Sequence, residues 1–158
     1  MAYEQLKLKN QVCFRLYTAS RLIIQAYEPF FKQLGITYTQ YLVLMVLWEQ
    51  DNQPVNDIAK KLVLETNTVT PLIQRMEKLD LVVRNVGPVD RRQKIVSLTK
   101  KGKTMQDECK DFPGCLINIF NNYDISMDEL MKLGDQLDRF INPILDHRKS
   151  ELAEEKTK

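Results

Sequence analysis

The chain has 158 residues with a formal net charge of +2, and 44% of its residues are hydrophobic, which fits one globular domain with its own core. No apolar run approaches the roughly 20 residues that cross a bilayer, and the N-terminus lacks the apolar segment of a secretory signal. We therefore expect a cytoplasmic protein with no membrane partner, whose three cysteines are reduced at rest.

The first predicted element is a long helix from about Asn10 to Leu34, because apolar residues recur there at helical spacing. Asn10 stands where an N-cap residue would begin this helix, and Gly35 stands where a left-handed glycine would end it. Pro29 has no amide proton, so we expect it to kink or divide the helix. A capping box from Thr37 to Gln40 then opens a second helix.

A helix-turn-helix is predicted next. Two amphipathic segments, about Val55 to Leu62 and Thr66 to Leu79, are joined by a short turn, which is typical of this motif. Pro71 is comfortable only in the first turn of a helix. The second helix is therefore expected to begin near Asn67 or to open with a distorted turn.

A hairpin with a basic tip follows. Its strands are the β-branched runs Leu81–Arg84 and Lys94–Leu98, and its loop contains Gly87-Pro88 and Asp90-Arg91-Arg92. Between Val55 and Lys103 there are eleven Lys and Arg against five Asp and Glu, a net charge of +6, so the rest of the chain carries −4. A basic winged helix on an acidic body predicts binding to double-stranded DNA, although an ordinary solvated surface can also carry this much charge.

The C-terminal third is predicted to be helical. Thr99 can cap a helix that begins at Lys100, and Pro113-Gly114 should kink or break that helix. A second capping box, from Ser126 to Glu129, opens a last helix with a broad apolar face. This helix is expected to end in the charged tail from His147.

We interpret residues 1–158 as one mainly α-helical domain, a winged helix-turn-helix with a small β-hairpin wing between N- and C-terminal dimerisation helices. Residues 1–36 and 100–148 are assigned to dimerisation, 37–99 to the core helix and DNA-binding module, and 149–158 to a charged tail. The flanking helices carry more apolar surface than the module can cover. They pair with a second copy or pack on each other in a monomer, and a homodimer would read two half-sites of a pseudo-palindromic operator.

In this architecture the second helix of the motif enters the major groove with its N-terminal end foremost. The side chains placed to reach phosphates and base edges are Thr66, Asn67, Thr68, Thr70, Gln74 and Arg75. Arg92 at the wing tip is expected to reach the minor groove, where negative potential is concentrated. Asp90 would be repelled by phosphate, so we expect it to hold the Arg92 guanidinium in place.

The sequence predicts no cofactor, no metal and no catalytic residue. It contains no C-x-x-C, and its one histidine, His147, lies far from any cysteine. It also contains no glycine-rich phosphate loop and no G-x-S-x-G motif. We therefore do not expect an enzyme.

Two groups of residues resemble a known family. Asp90-x-Arg92 followed by Ile95–Thr99 and Gly102 resembles the wing signature of the MarR family of dimeric winged-helix transcription regulators. The branch called OhrR is similar at Asn10-Gln11-Val12-Cys13-Phe14-x-x-Tyr17, at Tyr27, at Thr37-Tyr38-x-Gln40-Tyr41 and at Thr68–Leu72. Members of this branch are repressors that sense organic hydroperoxides through a cysteine in the first helix, and the resemblance covers nearly the whole chain.

The resemblance implies that Cys13 is the redox-sensing residue. The first turn of a helix stabilises a thiolate through the macrodipole, and Tyr17 lies one turn further on the same face. In the family, tyrosines matching Tyr27 and Tyr38 come from the partner subunit and hydrogen-bond the thiolate. A lone cysteine on an apolar helix is otherwise usually inert, so the interpretation rests on the tyrosine pattern.

The resemblance also implies a second, resolving cysteine. Some members of the branch carry one near the C-terminal dimerisation region, where it converts the sulfenic acid to an intersubunit disulfide. Cys115 matches that position, and Cys109 is a poorer match. The hypothesis is that a disulfide between Cys13 and Cys115 moves the winged modules and releases DNA; mixed oxidation with a small thiol is the alternative.

Three other functions compete with this interpretation. The first is a MarR-type repressor gated by a reversibly bound aromatic ligand, with Cys13 incidental. The second is a thiol peroxidase, but the one Arg near Cys13, Arg15, is two residues away and turned off its face. The third is an architectural DNA binder, which would hold DNA equally in both redox states.

Overall fold

The computed structural model describes residues 3–87 and 90–155, and it is mainly helical with a small sheet, as the sequence predicts. In chain order the elements are α1 (Val12–Leu34), α2 (Tyr38–Glu49), β1 (Gln53–Pro54), α3 (Val55–Lys61), α4 (Thr66–Lys78), β2 (Val82–Val86), β3 (Lys94–Leu98), α5 (Lys100–Cys109), α6 (Phe112–Asn121) and α7 (Met127–Glu155). Two short 3-10 turns, Glu4–Leu6 and Leu8–Asn10, precede α1. The chain divides into two compact units, one ending at Pro113 and one beginning at Gly114. Within the described ranges, no helix is long and apolar enough to span a bilayer.

The predicted helix-turn-helix is present as α3 and α4. Their apolar side chains recur at helical spacing and enter one core, in which Ile58, Val69 and Ile73 are fully buried. The turn between the helices is tight because Val63 adopts a left-handed conformation with φ 56°. The two helices are therefore fixed against each other by a shared apolar face.

The wing is an antiparallel sheet with strand order β1-β3-β2. In the register of the two long strands, Arg84 lies opposite Val96. Strand β1 was not predicted, because two residues are too few to show an alternating pattern. The buried side-chain amide of Gln53 in this strand donates to the carbonyl of Val46 at 3.0 Å, which ties the sheet to α2.

Most predicted helix caps are confirmed. The Thr37 hydroxyl accepts from the Gln40 amide at 3.3 Å, while the Gln40 side chain accepts from the Thr37 amide at 2.8 Å. Ser126 and Glu129 form the same reciprocal pair before α7, at 3.3 and 2.9 Å. Gly35 ends α1 in the left-handed conformation, at φ 66°.

The predicted extent of α1 agrees within two residues, but its predicted cap is wrong. Asn10 lies in a 3-10 turn and its side chain donates to the carbonyl of Glu4 at 2.8 Å, so it does not cap the helix. The helix begins at Val12, after Gln11. Pro29 does not divide α1, which continues past it to Leu34.

Two further helix predictions need correction. Pro71 lies in the second turn of α4, not the first, and α4 begins at Thr66 with an opening hydrogen bond from the Thr68 amide to the Glu65 carbonyl at 2.9 Å. The last helix does not end near His147. It continues to Glu155, where i, i+3 and i, i+4 ion pairs such as Lys149 to Asp146 (3.0 Å) support the charged turns. The predicted break near Pro113 is confirmed, between α5 and α6.

At Gly102, α5 passes close to the backbone of Leu81, the residue just before β2. The Gly102 amide donates to the capping Thr99 hydroxyl at 3.0 Å, and the Gly102 carbonyl accepts from the Trp48 indole at 2.9 Å. A Cβ at this position would collide with the carbonyl oxygen of Leu81.

We predict that Gly102→Ala lowers the free energy of unfolding by about 2 kcal/mol or more, because a backbone carbonyl cannot move aside as a side chain does. Thr104→Ala, at an exposed position of the same helix, should change it by less than about 0.5 kcal/mol. Urea titrations at one protein concentration measure both variants. An unchanged urea midpoint for Gly102→Ala would contradict the close contact between Gly102 and the Leu81 carbonyl.

Candidate functional site

The first candidate surface is the exposed face of α4. The predicted DNA-contacting side chains that are exposed there are Thr66, Asn67, Thr68, Gln74 and Arg75. Thr70 is half-buried, and its hydroxyl donates to the carbonyl of Thr66 at 2.8 Å. Asn56 in α3, which the sequence analysis missed, accepts a hydrogen bond from the Thr66 hydroxyl at 3.2 Å. Its polar side chain in the first turn of α3 was the feature of the sequence that could have indicated Asn56.

The wing tip presents an almost fully exposed arginine. The side chain of Arg92 is 94% exposed. Its amide donates to Asp90 Oδ1 at 2.9 Å, and its Nε lies 3.4 Å from the same oxygen. The contact expected between Asp90 and Arg92 is thus present, whereas their role at DNA stays a prediction. Pro88 and Val89 of the predicted loop lie outside the described residues.

An ion pair joins α4 to β2. The Glu77 carboxylate accepts from Arg84 Nε at 2.9 Å, from a terminal guanidinium nitrogen at 2.6 Å and from the Arg84 amide at 3.1 Å. These bonds from Arg84 hold the pKa of Glu77 below its ordinary range. A charged pair with this geometry fixes the wing relative to α4. The pairing of Glu77 with Arg84 was not predicted, since it depends on the turn between helix and strand.

A cleft of about 170 Å³ lies between α3, α4 and the wing. Its polar lining comprises Asn56, Thr66, Thr70, Arg84, Arg92, Gln93 and Lys94. The structure thus brings together three of the predicted DNA-contacting residues with cations that the prediction did not include. Hydroxyl groups and positive charges on one concave surface suit a negatively charged ligand.

The second candidate site is at the beginning of α1. Cys13 is the second residue of this helix and is exposed. The amides of the first turn place partial positive charge near its sulfur. Tyr17 lies one turn further on and is 59% exposed. The spacing of four residues puts both side chains on one helix face.

Tyr27 and Tyr38 lie together, but at the other end of α1. Their ring centroids are 6.4 Å apart, and each ring also contacts Phe31. Tyr27 follows Cys13 by fourteen residues of continuous helix, which corresponds to a rise of about 21 Å. One chain therefore cannot bring Cys13 and these two tyrosines into contact.

The two other cysteines differ in exposure. Cys109 is 3% exposed, whereas Cys115 is half-buried. Burial, with a smaller contribution from Glu108, raises the pKa of the Cys109 thiol to about 11. Cys109 borders a cavity of about 430 Å³ together with Tyr41 and Trp48. Among the residues that the structure describes, no group of three His, Cys, Asp or Glu side chains is placed to hold a metal ion.

Comparison with known proteins places this geometry in a family. The MarR family model matches residues 36–94. An organic hydroperoxide resistance transcriptional regulator of Bacillus subtilis is 37% identical over 117 residues, which is 74% of this chain and 80% of that protein.

Solved structures of AbfR, a protein of Staphylococcus epidermidis, are also similar. Reduced AbfR bound to DNA has 39% sequence identity and a TM-score of 0.74, over 92% of this chain and 99% of that one. Disulfide-formed AbfR has 38% identity and a TM-score of 0.62, over 90% and 95%. Overoxidised AbfR bound to DNA has 37% identity and a TM-score of 0.71, over 89% and 97%.

The difference between the thiols predicts unequal reactivity. At pH 8, iodoacetamide should alkylate Cys13 at least about tenfold faster than Cys109, because a raised thiol pKa lowers the thiolate fraction roughly tenfold per unit. The rate at Cys109 should keep rising about tenfold per pH unit up to its pKa of about 11, and it should rise sharply when urea unfolds the protein. Peptide mapping by mass spectrometry measures each site. Equal rates at Cys13 and Cys109 in the folded protein would contradict the prediction.

Proposed function

Because this chain belongs to the MarR family of transcriptional regulators, we propose that it is a homodimeric repressor that releases operator DNA when an organic hydroperoxide oxidises Cys13. The chain is a regulator and not an enzyme, in keeping with the relatives of this family. One observation carries the proposal. Cys13 and Tyr17 lie at one end of α1, and the stacked pair Tyr27 and Tyr38 lies at the other.

Double-stranded DNA is the partner proposed for α4 and the wing. The net charge of +6 between Val55 and Lys103 supports this assignment, as does the relative AbfR, whose reduced form was solved bound to DNA. The residues proposed to contact the major groove or its phosphates are Thr66, Asn67, Thr68, Thr70, Gln74 and Arg75. Arg92 is proposed to reach the minor groove, with Asp90 holding its guanidinium.

A second copy of the chain is the partner proposed for the flanking helices. Large apolar side chains are left in water on α1, where Val12 and Leu22 are 62% and 59% exposed. The same is true of α7, where Met131 and Phe140 are 66% and 55% exposed. Exposed apolar residues in this number mark an interaction surface. A two-fold dimer would also present two winged modules to the half-sites of a pseudo-palindromic operator.

The sensing chemistry is proposed to occur at Cys13. Its thiolate attacks the terminal oxygen of the hydroperoxide and the O–O bond breaks, which leaves a cysteine sulfenic acid and an alkoxide. The alkoxide takes up a proton from water and leaves as an alcohol. In the proposed dimer, Tyr27 and Tyr38 of the partner subunit join Tyr17 of the same chain around the sulfur. Three phenol donors would favour the thiolate of Cys13 over its thiol, and the thiolate is the reactive form.

Cys115 of the partner subunit is proposed to resolve the sulfenic acid. Its thiolate attacks the Cys13 sulfur, a disulfide forms, and water leaves after protonation. Cys109 is disfavoured because it is buried and its thiol pKa is raised to about 11. The relative AbfR was solved in a disulfide form and, when overoxidised, bound to DNA. These states support the disulfide, and not a higher oxide of Cys13, as the state that releases DNA.

A repressor gated by a reversibly bound aromatic ligand is the second candidate. The observation in its favour is the cavity of about 430 Å³ bordered by Tyr41, Met45 and Trp48, because aromatic walls suit an aromatic ligand. In that case Cys13 would be incidental. Release of DNA by the ligand would then be the same in wild type and in Cys13→Ser.

The wing is tested by Arg92→Ala. We predict that this variant binds a DNA duplex selected by the wild-type protein about 10 to 100 times more weakly, because it removes an exposed cation from the groove. Lys32→Ala is the matched control, since it removes one charge from α1, where Lys32 pairs with Glu28 at 3.0 Å. Fluorescence anisotropy at fixed salt measures both. Equal affinities of wild type and Arg92→Ala would show that Arg92 at the wing tip does not contribute to DNA binding.

The resolving cysteine is tested by non-reducing gel electrophoresis after treatment with cumene hydroperoxide. Wild type and Cys109→Ser should form a covalent dimer that dithiothreitol reverses. Cys13→Ser and Cys115→Ser should stay monomeric on the gel, because each lacks one sulfur of the proposed bond. A Cys13-dependent covalent dimer in Cys115→Ser would show that another thiol resolves the sulfenic acid.

A further inference from the structure

Arg21 lies over the ring of Tyr17. Its guanidinium carbon is 5.6 Å from the ring centroid, within the range of a cation–π contact. Cys13, Tyr17 and Arg21 follow one another at intervals of four residues in α1, so they form one stripe on the helix surface. Side chains of an α-helix lean towards its N-terminus. Arg21 thus lies over Tyr17, and the same lean would direct the Tyr17 side chain towards Cys13.

The charge of Arg21 is not neutralised by an acid in the part of the chain that the structure describes. No ion pair or hydrogen bond of its guanidinium to a carboxylate is found there. The α1 sequence from Val12 to Tyr27 contains two arginines and no acid. The full charge is thus available to polarise the Tyr17 ring.

The other charged groups around this end of α1 are engaged elsewhere. Glu4 pairs with Lys7 and, at 3.9 Å, with Lys9. The guanidinium of Arg15 donates to the carbonyl of Lys9. The neighbouring helix α2 carries one charged residue, Glu49, at its far end.

We propose that Arg21 is a positioning residue for the sensor, which orients the Tyr17 ring and strengthens its hydroxyl as a hydrogen-bond donor to the Cys13 sulfur. A cation over the face of a phenol withdraws electron density from the ring, and this makes the O–H group a better donor. A better donor favours the thiolate of Cys13 over its thiol. This inference rests on the proposed sensing role of Cys13 and adds Arg21 to it.

The test measures the alkylation rate of Cys13 by iodoacetamide between pH 5 and 9 in the full-length protein, with no peroxide present. We expect Arg21→Gln to shift the rise of the Cys13 alkylation rate to higher pH. At pH 7 alkylation should be about threefold slower, which corresponds to the loss of one exposed cation–π contact. Arg21→Lys, which keeps the charge, should recover part of the rate. Lys32→Gln removes one charge from the same helix, away from Tyr17, and should leave the profile in place.

A double-mutant cycle separates the proposed route from a general effect of charge. In Tyr17→Phe, which keeps the ring and lacks the hydroxyl, the further change Arg21→Gln should have no effect on the profile. The same threefold effect in both backgrounds would overturn the proposal, and so would an unchanged profile for Arg21→Gln with native urea stability. The alkylation assay reports on the thiolate alone. If Arg21 acts as proposed but hydroperoxide does not oxidise wild-type Cys13, the proposed function fails and the positioning role stands.

Discussion

Tyr27 lies fourteen positions after Cys13 in one continuous helix. The resulting rise of about 21 Å keeps the Cys13 sulfur away from the Tyr27 phenol in the same chain. A sensing site made of these residues needs two chains. The same two-fold pairing would cover the apolar side chains that α1 and α7 leave exposed. In the proposed dimer, the length of this one helix would therefore set the sensing site and the two-fold symmetry together.

Contacts between its helices and strands hold the winged module together as one unit. Glu77 and Arg84 join α4 to β2 through three hydrogen bonds. At the opposite edge, Asp51 accepts from the Leu98 amide at 2.8 Å and lies 3.4 Å from the Lys103 ammonium, which ties β3 and α5 to the end of α2. A disulfide that moves the flanking helices would therefore change the spacing of two modules in a dimer and leave each module intact.

The sequence predicted what local patterns encode. Helical spacing located α3 and α4, and reciprocal capping residues located the starts of α2 and α7. Asn10 was assigned wrongly, since its side chain bonds to the carbonyl of Glu4, and a 3-10 turn competes with a cap through the same polar group. Contacts between elements were missed, such as the hydrogen bond that the Thr66 hydroxyl donates to Asn56, because they depend on tertiary structure. The stacking of Tyr27 with Tyr38 belongs to that class too.

In the proposed mechanism, oxidation of one cysteine controls the binding of DNA. The direct measurement is the affinity of the full-length protein for a duplex selected by its reduced form, before and after one equivalent of cumene hydroperoxide. Wild type should lose affinity at least about tenfold, dithiothreitol should restore it, and Cys13→Ser should stay bound throughout. Equal loss of affinity in Cys13→Ser, or unchanged affinity of fully oxidised wild type, would contradict the proposed mechanism.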